Sequence, residues 1–375
     1  MSGPRILFYV QHLLGIGHLA RASRIANALA EDGFDVTMVT GGTPVKGFPG
    51  PAIRHVALPA VTSAEGFSGL VDESGQPVDD AFKAGRRDLL LATLRDTAPD
   101  IVILEAFPFG RRQVRFELLP LVDAIAAMTP RPRLVTSVRD ILQERAKPGR
   151  NEEAVALLNA HFDLVMVHGD PKFARLEETF PEATAITTRI GYTGLVAAPP
   201  APPASEAFDV LVSAGGGAAG ADLVRATVEA ARLLPEVGRW ALITGPNLPG
   251  DAFDDAVRQA PDTMQVLRFR SDFASLLNAA SLSVSQAGYN TVCDILRAGC
   301  RSLLVPFSAG GETEQSVRAE RLSQLGLASF IPEDGLTGAN LATAITDTFS
   351  RPKPPAAALD LDGARATGKL LRDLL

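Results

Sequence analysis

The sequence predicts an α/β protein of two doubly wound, Rossmann-like domains, and three observations carry that expectation. Short β-like runs alternate with helical segments along the chain, a pattern that builds a parallel sheet covered on both faces. The pattern halts at Ala197-Ala-Pro-Pro-Ala-Pro-Pro-Ala204 and then restarts. The length, 375 residues, exceeds what one ordinary core accommodates and suits two domains.

Residues 6–10 (ILFYV) read as the first strand. Residues 19–30 read as the first helix, with Leu19, Ala22, Ala26 and Leu29 at helical spacing. Further strands are expected at 36–39, 101–104, 134–137, 164–167 and 184–187, and helices at 80–96, 112–127 and 152–159. These make an amino-terminal, acceptor-side domain of residues 1–196. Four prolines within eight residues fit neither helix nor sheet and favour a stiff, extended spacer, so 197–207 reads as a linker. The second domain, 208–350, holds expected strands at 208–213, 240–243, 265–269, 282–285 and 302–305, with a helix at 221–233. Residues 351–375 close with a helical stretch that can pack back on the domain junction. Open sheets of this kind bind ligands beyond the carboxyl ends of their strands. If the two domains face each other across a cleft, two substrates can meet there.

Composition narrows the function. Hydrophobic residues make up 46% and charged residues 21%, as in a folded globular protein. The formal net charge of -7, with few aromatics, argues against generic nucleic-acid binding. Cys293 and Cys300 form no CxxC or metal-spaced set and read as reduced thiols of a cytoplasmic protein. The amino terminus has no secretory leader pattern. No apolar run approaches the ~20 residues of a membrane-crossing helix, while peripheral contact with a membrane stays compatible with the composition.

Three glycine-bearing motifs follow strands. The first is Gly15-Ile-Gly17-His18-Leu-Ala20-Arg21. It lacks the acid that a dinucleotide fingerprint carries after the second strand, where Thr40-Gly41-Gly42 stands instead. His18 is either a general base for an acceptor hydroxyl or a capping or packing histidine. Glu105, at the end of the strand 101–104, should emerge at the same sheet edge. It either orients His18 or is a loop acid, solvated or paired with Arg111 or Arg112. Arg139 and Asp140 also sit at a strand end, to hold an acceptor phosphate or to form a local ion pair. The second motif, Ser213-Ala-Gly215-Gly216-Gly217-Ala-Ala-Gly220, presents backbone N–H groups to an anion or allows a close strand–helix crossover. It lacks the Lys-Ser/Thr of a P-loop.

The third motif is the most informative. Gly288 permits close approach after an expected strand. Asn290 and Thr291 offer donors at a helix start, where the dipole favours phosphate. Asp294, one turn on, can accept ribose hydroxyls. After the next strand, Glu314 and Gln315 at a further helix start suit sugar hydroxyls. Together they order pyrophosphate, ribose and sugar along successive strand ends.

The 288–319 stretch resembles the carboxyl-terminal domain of GT-B glycosyltransferases. Most of the chain, about residues 5–345, resembles a bacterial family of predicted glycosyltransferases related to the lipid II-forming N-acetylglucosaminyltransferase. The resemblance also rests on Arg5-Ile-Leu-Phe-Tyr9, Gly15–Arg21, Val138-Arg-Asp140, His168-Gly-Asp-Pro171 and Gly191-Tyr192. It implies that Phe269 and Arg270 stand where the family holds the base through backbone groups. It matches Asp294 to a ribose-binding glutamate, Thr291 to a threonine near the diphosphate, and Glu314 and Gln315 to paired glutamines on the sugar. Glutamate at 314 departs from that pair. His18 and Glu105 match the base and its acid in plant-type enzymes of this fold.

The expected function is therefore inverting transfer of a sugar from a nucleotide diphosphate, UDP-linked by resemblance, to an acceptor hydroxyl. No cofactor and no metal are expected, since no DxD pair is suitably placed. The competing expectations are a sugar-nucleotide 2-epimerase and a non-catalytic sugar-nucleotide-binding protein.

Overall fold

A computed structural model describes residues 3–13, 15–63, 69–143, 148–215, 220–356 and 358–375. The chain divides into two compact units, Met1–Val196 with Asp362–Leu375, and Ala197–Leu361.

The first unit is laid out in chain order as β1 (Arg5–Val10), α1 (Gly17–Glu31), β2 (Asp35–Thr40), β3 (Arg54–Ala57), a short antiparallel pair β4 (Thr62–Ser63) and β5 (Leu70–Val71), α2 (Asp80–Thr97) and β6 (Ile101–Glu105). It continues with α3 (Arg115–Ala127), β7 (Arg133–Arg139), α4 (Arg150–His161), β8 (Leu164–His168), α5 (Leu176–Thr179) and β9 (Arg189–Tyr192). Seven strands form one parallel sheet in the order β3-β2-β1-β6-β7-β8-β9. Its central strands are buried on both faces, which explains their unbroken apolar runs. The order reverses direction at β1 and β6, so the loops after those strands flank the switch point where such sheets bind ligands.

A buried ion pair holds the base of that region. Arg86 on α2 donates twice to Glu117 on α3, at 2.7 and 2.8 Å, and both side chains are fully buried. Tyr9 Oη donates to Glu117 at 2.5 Å, and Arg86 also reaches Gln11 Oε1 and the Gly41 carbonyl. The pair thereby anchors the chain just after β1 and β2.

The expected strand at 184–187 is not formed. Pro181 starts a 3-10 turn over Pro181–Ala185, and the amide of Thr187 is taken by Asn159 Oδ1 at 2.7 Å. The strand begins later, at Arg189. The expected helix at 112–127 opens with a 3-10 turn, Arg112–Val114, before α3.

The second unit carries β10 (Val210–Ser213), α6 (Ala221–Leu233), β11 (Trp240–Ile243), α7 (Gly250–Gln259), β12 (Met264–Leu267), α8 (Phe273–Ala279) and β13 (Leu282–Ser285). After these come α9 (Tyr289–Ala298), β14 (Ser302–Leu304), α10 (Glu314–Gln324), β15 (Ser329–Phe330) and α11 (Gly338–Ser350). Six parallel strands run β12-β11-β10-β13-β14-β15, with the switch point between β10 and β13. Its own core surrounds Trp240, Leu242, Val212 and Val284, all fully buried. The proline-rich stretch lies within this unit and is tied to it, since Arg297 Nε donates to the Ala198 carbonyl at 3.1 Å.

The tail belongs to the first unit. Val196 bridges to Asp362, and the final helix α12 (Gly363–Arg372) lies against α1 with Leu371 fully buried. Arg372 pairs with Asp32 and stacks over the Phe34 ring. Among the described residues, no helix is long and apolar enough to cross a membrane.

Candidate functional site

In the first unit the loops at the switch point bring His18 and Glu105 together. Gly17 and His18 open α1, whose N-cap residue Ile16 makes no side-chain capping bond. Gly15 has open space where a Cβ would stand. Glu105 is the last residue of β6 and is fully buried. His18 Nδ1 lies 2.8 Å from Glu105 Oε1, and the His18 side chain keeps 19% of its surface exposed.

Glu105 is charged. Burial alone would raise its pKa, but the Arg21 guanidinium and hydrogen bonds from His18 and Ser137 hold it well below the usual carboxylate range. Arg21 is buried one turn along α1 and donates to the same Glu105 oxygen as His18. An ionised carboxylate only accepts, so His18 carries its proton on Nδ1 and presents a bare Nε2. Burial, and then the nearby Arg111 charge, push the His18 pKa well down, with Glu105 partly opposing them. The imidazole is therefore neutral near pH 7, the state a base needs.

The structure settles which partner Glu105 takes. It pairs with Arg21 and Ser137, not with Arg111 or Arg112, and Arg112 pairs with Glu153. Arg111 sits in a left-handed conformation at φ 64° with its Nε buried and without a hydrogen-bond partner. Burial draws its pKa down to about 10, with Glu105 offsetting part of the effect. Arg139 is half-buried at the end of β7, whereas Asp140 is fully buried and accepts from the Ile141 amide at 2.9 Å. Arg21, Ser137 and His168 are the parts of this site that motif reading did not assign. The signal for Arg21 was its place three residues after His18, on the same helix face.

In the second unit the loops after β10 and β13 lie side by side, because Ser213 registers with Ser285. Gly215 has φ 80°, a conformation that strains residues with a Cβ, and a Cβ there would stand 2.6 Å from Gln286 Oε1, which would have to move. Gly216 and Gly217 lie outside the described residues. Gly288 differs. Its φ of -64° suits any residue, and nothing lies within 4 Å of where a Cβ would be. Among the described residues, neither packing nor backbone conformation requires glycine there. Asn290, Thr291 and Asp294 follow on the first turns of α9, each half-buried.

Glu314 and Gln315 hold this loop. Gln315 Oε1 accepts from the amides of Ala287 at 2.9 Å and Phe307 at 3.2 Å, joining the loops after β13 and β14. Glu314 is 2% exposed and accepts from Arg318 Nη2 at 2.8 Å, and Arg318 Nη1 donates to the Ala287 carbonyl at 3.0 Å. The Glu314 carboxylate thus faces inward to Arg318. Arg270 is likewise engaged, with Asp272 and Glu206, both at 2.7 Å. Phe269 beside it is 69% exposed. Among the described residues, no three His, Cys, Asp or Glu side chains converge as a metal site.

Residues 210–364 match the glycosyltransferase family 28 C-terminal domain. The chain is 26% identical over 350 residues to a Phenylobacterium zucineum protein, covering 90% of this chain and 87% of the relative. That relative is named a UDP-N-acetylglucosamine–N-acetylmuramyl-(pentapeptide) pyrophosphoryl-undecaprenol N-acetylglucosamine transferase. A Synechococcus elongatus protein of the same name is 31% identical over 187 residues, 46% of this chain. The chain spans about half the length of the Synechococcus relatives it matches. Among solved structures, Acinetobacter baumannii MurG aligns over 99% of both chains with a TM-score of 0.59 at 16% identity. The calicheamicin glycosyltransferase CalG4 aligns over 100% of this chain and 94% of its own, at 0.61 and 19%. These structures share the fold.

Proposed function

We propose that this chain, a GT-B glycosyltransferase related to the lipid II-forming N-acetylglucosaminyltransferases, moves a sugar from a nucleoside diphosphate to an acceptor hydroxyl with inversion and without a bound metal. The His18–Glu105 pair carries the reading: a buried, charged carboxylate orients a neutral imidazole with a bare Nε2. His18 takes the proton of the acceptor hydroxyl. The oxygen attacks the anomeric carbon in one displacement, and the nucleoside diphosphate leaves. Gly215, Gly288, Asn290, Thr291 and the start of α9 receive the diphosphate charge. Asp294 takes the ribose, Gln315 the sugar, and the backbone at Phe269 and Arg270 the base. The relatives' names point to UDP-N-acetylglucosamine as donor. Arg111 and Arg139 beside His18 suit an acceptor bearing phosphate or pyrophosphate, as the acceptors in those names do. Cys293 and Cys300, buried and not joined in a disulfide, support a reducing, cytoplasmic setting, which leaves room for peripheral membrane contact.

A thermal-shift screen of UDP-, GDP-, dTDP- and ADP-sugars identifies the donor, because a ligand of the folded state raises the melting temperature. With the donor known, His18→Ala should slow transfer by about 10²–10⁴-fold. Full turnover by that variant would refute the base assignment. Epimer formed from the donor with no acceptor present would refute transfer itself.

A further inference from the structure

Behind Glu105, a file of polar side chains crosses the first sheet. Ser137 Oγ on β7 donates to Glu105 Oε2 at 2.6 Å. Ser137 Oγ also lies 3.0 Å from His168 Nε2, at the end of β8. His168 Nδ1 lies 2.8 Å from Thr193 Oγ1, just past β9. Ser137 and His168 are fully buried and Thr193 is 2% exposed. The file steps across four adjacent strands, β6 to β9.

Its proton positions follow by elimination. Ser137 has one hydroxyl proton, and Glu105 can only accept, so that proton points to Glu105. Ser137 must then accept from His168, which carries its proton on Nε2. Burial pushes the His168 pKa down to about 3, so the ring is neutral and Nδ1 is bare. Thr193 therefore donates to Nδ1, since two lone pairs would otherwise meet at 2.8 Å, and its contacts with the Gly194 and Val167 carbonyls take no proton. Every donor in the file points toward Glu105. Polar groups cost free energy in a core unless fully paired, and here three of them are spent on one carboxylate oxygen.

We propose that Ser137, His168 and Thr193 are positioning residues for the base: a one-way hydrogen-bond file that fixes the Glu105 carboxylate and limits how strongly it holds the His18 proton. The proposal rests on the assignment of His18 as base. His18 is faced by Glu105 from β6, Arg111 from the loop after β6, Arg139 from the end of β7 and Arg21 along its own helix. Removing the Ser137 donor leaves Glu105 Oε2 unshared. The carboxylate then binds the imidazole more strongly.

The test is an NMR titration of His18 in the full chain, with no sugar present, for wild type, Ser137→Ala, Ser137→Thr, His168→Leu and His168→Gln. Ser137→Ala should raise the His18 pKa by about one unit, the scale of one hydrogen bond to a charged group. It should also move the Nδ1 proton resonance downfield, as the bond to Glu105 shortens. Ser137→Thr keeps the hydroxyl and should restore both values. His168→Leu leaves the Ser137 hydroxyl on Glu105 and should move the His18 pKa in the same direction but by less, and His168→Gln, whose amide can donate to Ser137, should stay near wild type. The acid limb of kcat/KM should shift to higher pH in step. A file that merely packs predicts otherwise: loosening the site moves the Nδ1 proton upfield or loses it to exchange. That result, or an unchanged titration in Ser137→Ala, overturns the proposal. If His168→Leu does not fold, the Ser137 pair decides alone. Because the titration needs no transfer, it stays readable even where His18→Ala shows the base assignment to be wrong.

Discussion

His18 and His168 are both neutral histidines, and both should make the protein acid-labile. Burial lowers the pKa of each, to about 3 for His168, whereas an unfolded histidine titrates near ~6.5. Below that value the unfolded chain binds protons that the folded chain refuses. Stability should therefore fall as pH drops through ~6.5, by about 1.4 kcal/mol per pH unit for each such histidine. Glu105 acts in the same direction further down. Its depressed pKa gives stability that is present above the unfolded carboxylate value and lost as pH falls below ~4.5. Urea melts at pH 7.5, 6 and 5 should show this slope, and His168→Gln should remove one histidine's share of it. A slope unchanged in that variant would mean that His168 is not neutral in the fold. Activity should follow the His18 titration, flat near pH 7 and falling on the acid side.

At the scale of elements, the second unit separates what the fold needs from what a ligand needs. Gly288→Ala puts a methyl into open space at an ordinary φ. It should change stability by less than about 1 kcal/mol. It should nevertheless raise the donor KM at least roughly tenfold, about 1.4 kcal/mol of binding, if a diphosphate approaches there. An unchanged KM would remove Gly288 from the site. Gln315→Ala should behave differently. Its side-chain oxygen serves two backbone amides, Ala287 and Phe307. Leaving them unpaired should cost about 1–3 kcal/mol, visible in a denaturant melt.

These contrasts explain what was legible in the sequence. The inner strands were readable because burial on both faces makes apolar runs such as 6–10, 101–104 and 164–167. The edge strand β3 is largely exposed and reads Arg-His-Val-Ala, with no such signal. At 184–187 the β-like composition was overruled by Pro181 and the Asn159 side chain. The meeting of His18 and Glu105 was legible because one opens the helix after β1 and the other ends β6, at the same sheet edge. The Arg318 contact of Glu314 was not, since the same carboxylate suits a sugar or an arginine and the burial that brings the two together shows only in the fold. The file from Glu105 to Thr193 was hidden for another reason. Its members are 25 to 32 residues apart in sequence and meet only through the register of four strands.

For the whole molecule, the two units have separate cores, and α12 belongs to the first. Leu371→Ala should therefore destabilise the first unit by about 2–5 kcal/mol, as for other buried leucines. Calorimetry should show the transition of that unit moving down while the transition of the second stays in place. Equal shifts in both would contradict the assignment of α12.

The return of α12 to α1 also orders events in time. Domains fold as units while the chain is made, amino-terminal first. Here residues 197–361 are complete before Gly363–Arg372 leave the ribosome. The segment that appears first must wait, with the apolar face of α1 uncovered, until the last helix arrives. The later segment can close its sheet in the meantime. The half that holds His18 is thus the last to close, because α12 must emerge before the apolar face of α1 is covered.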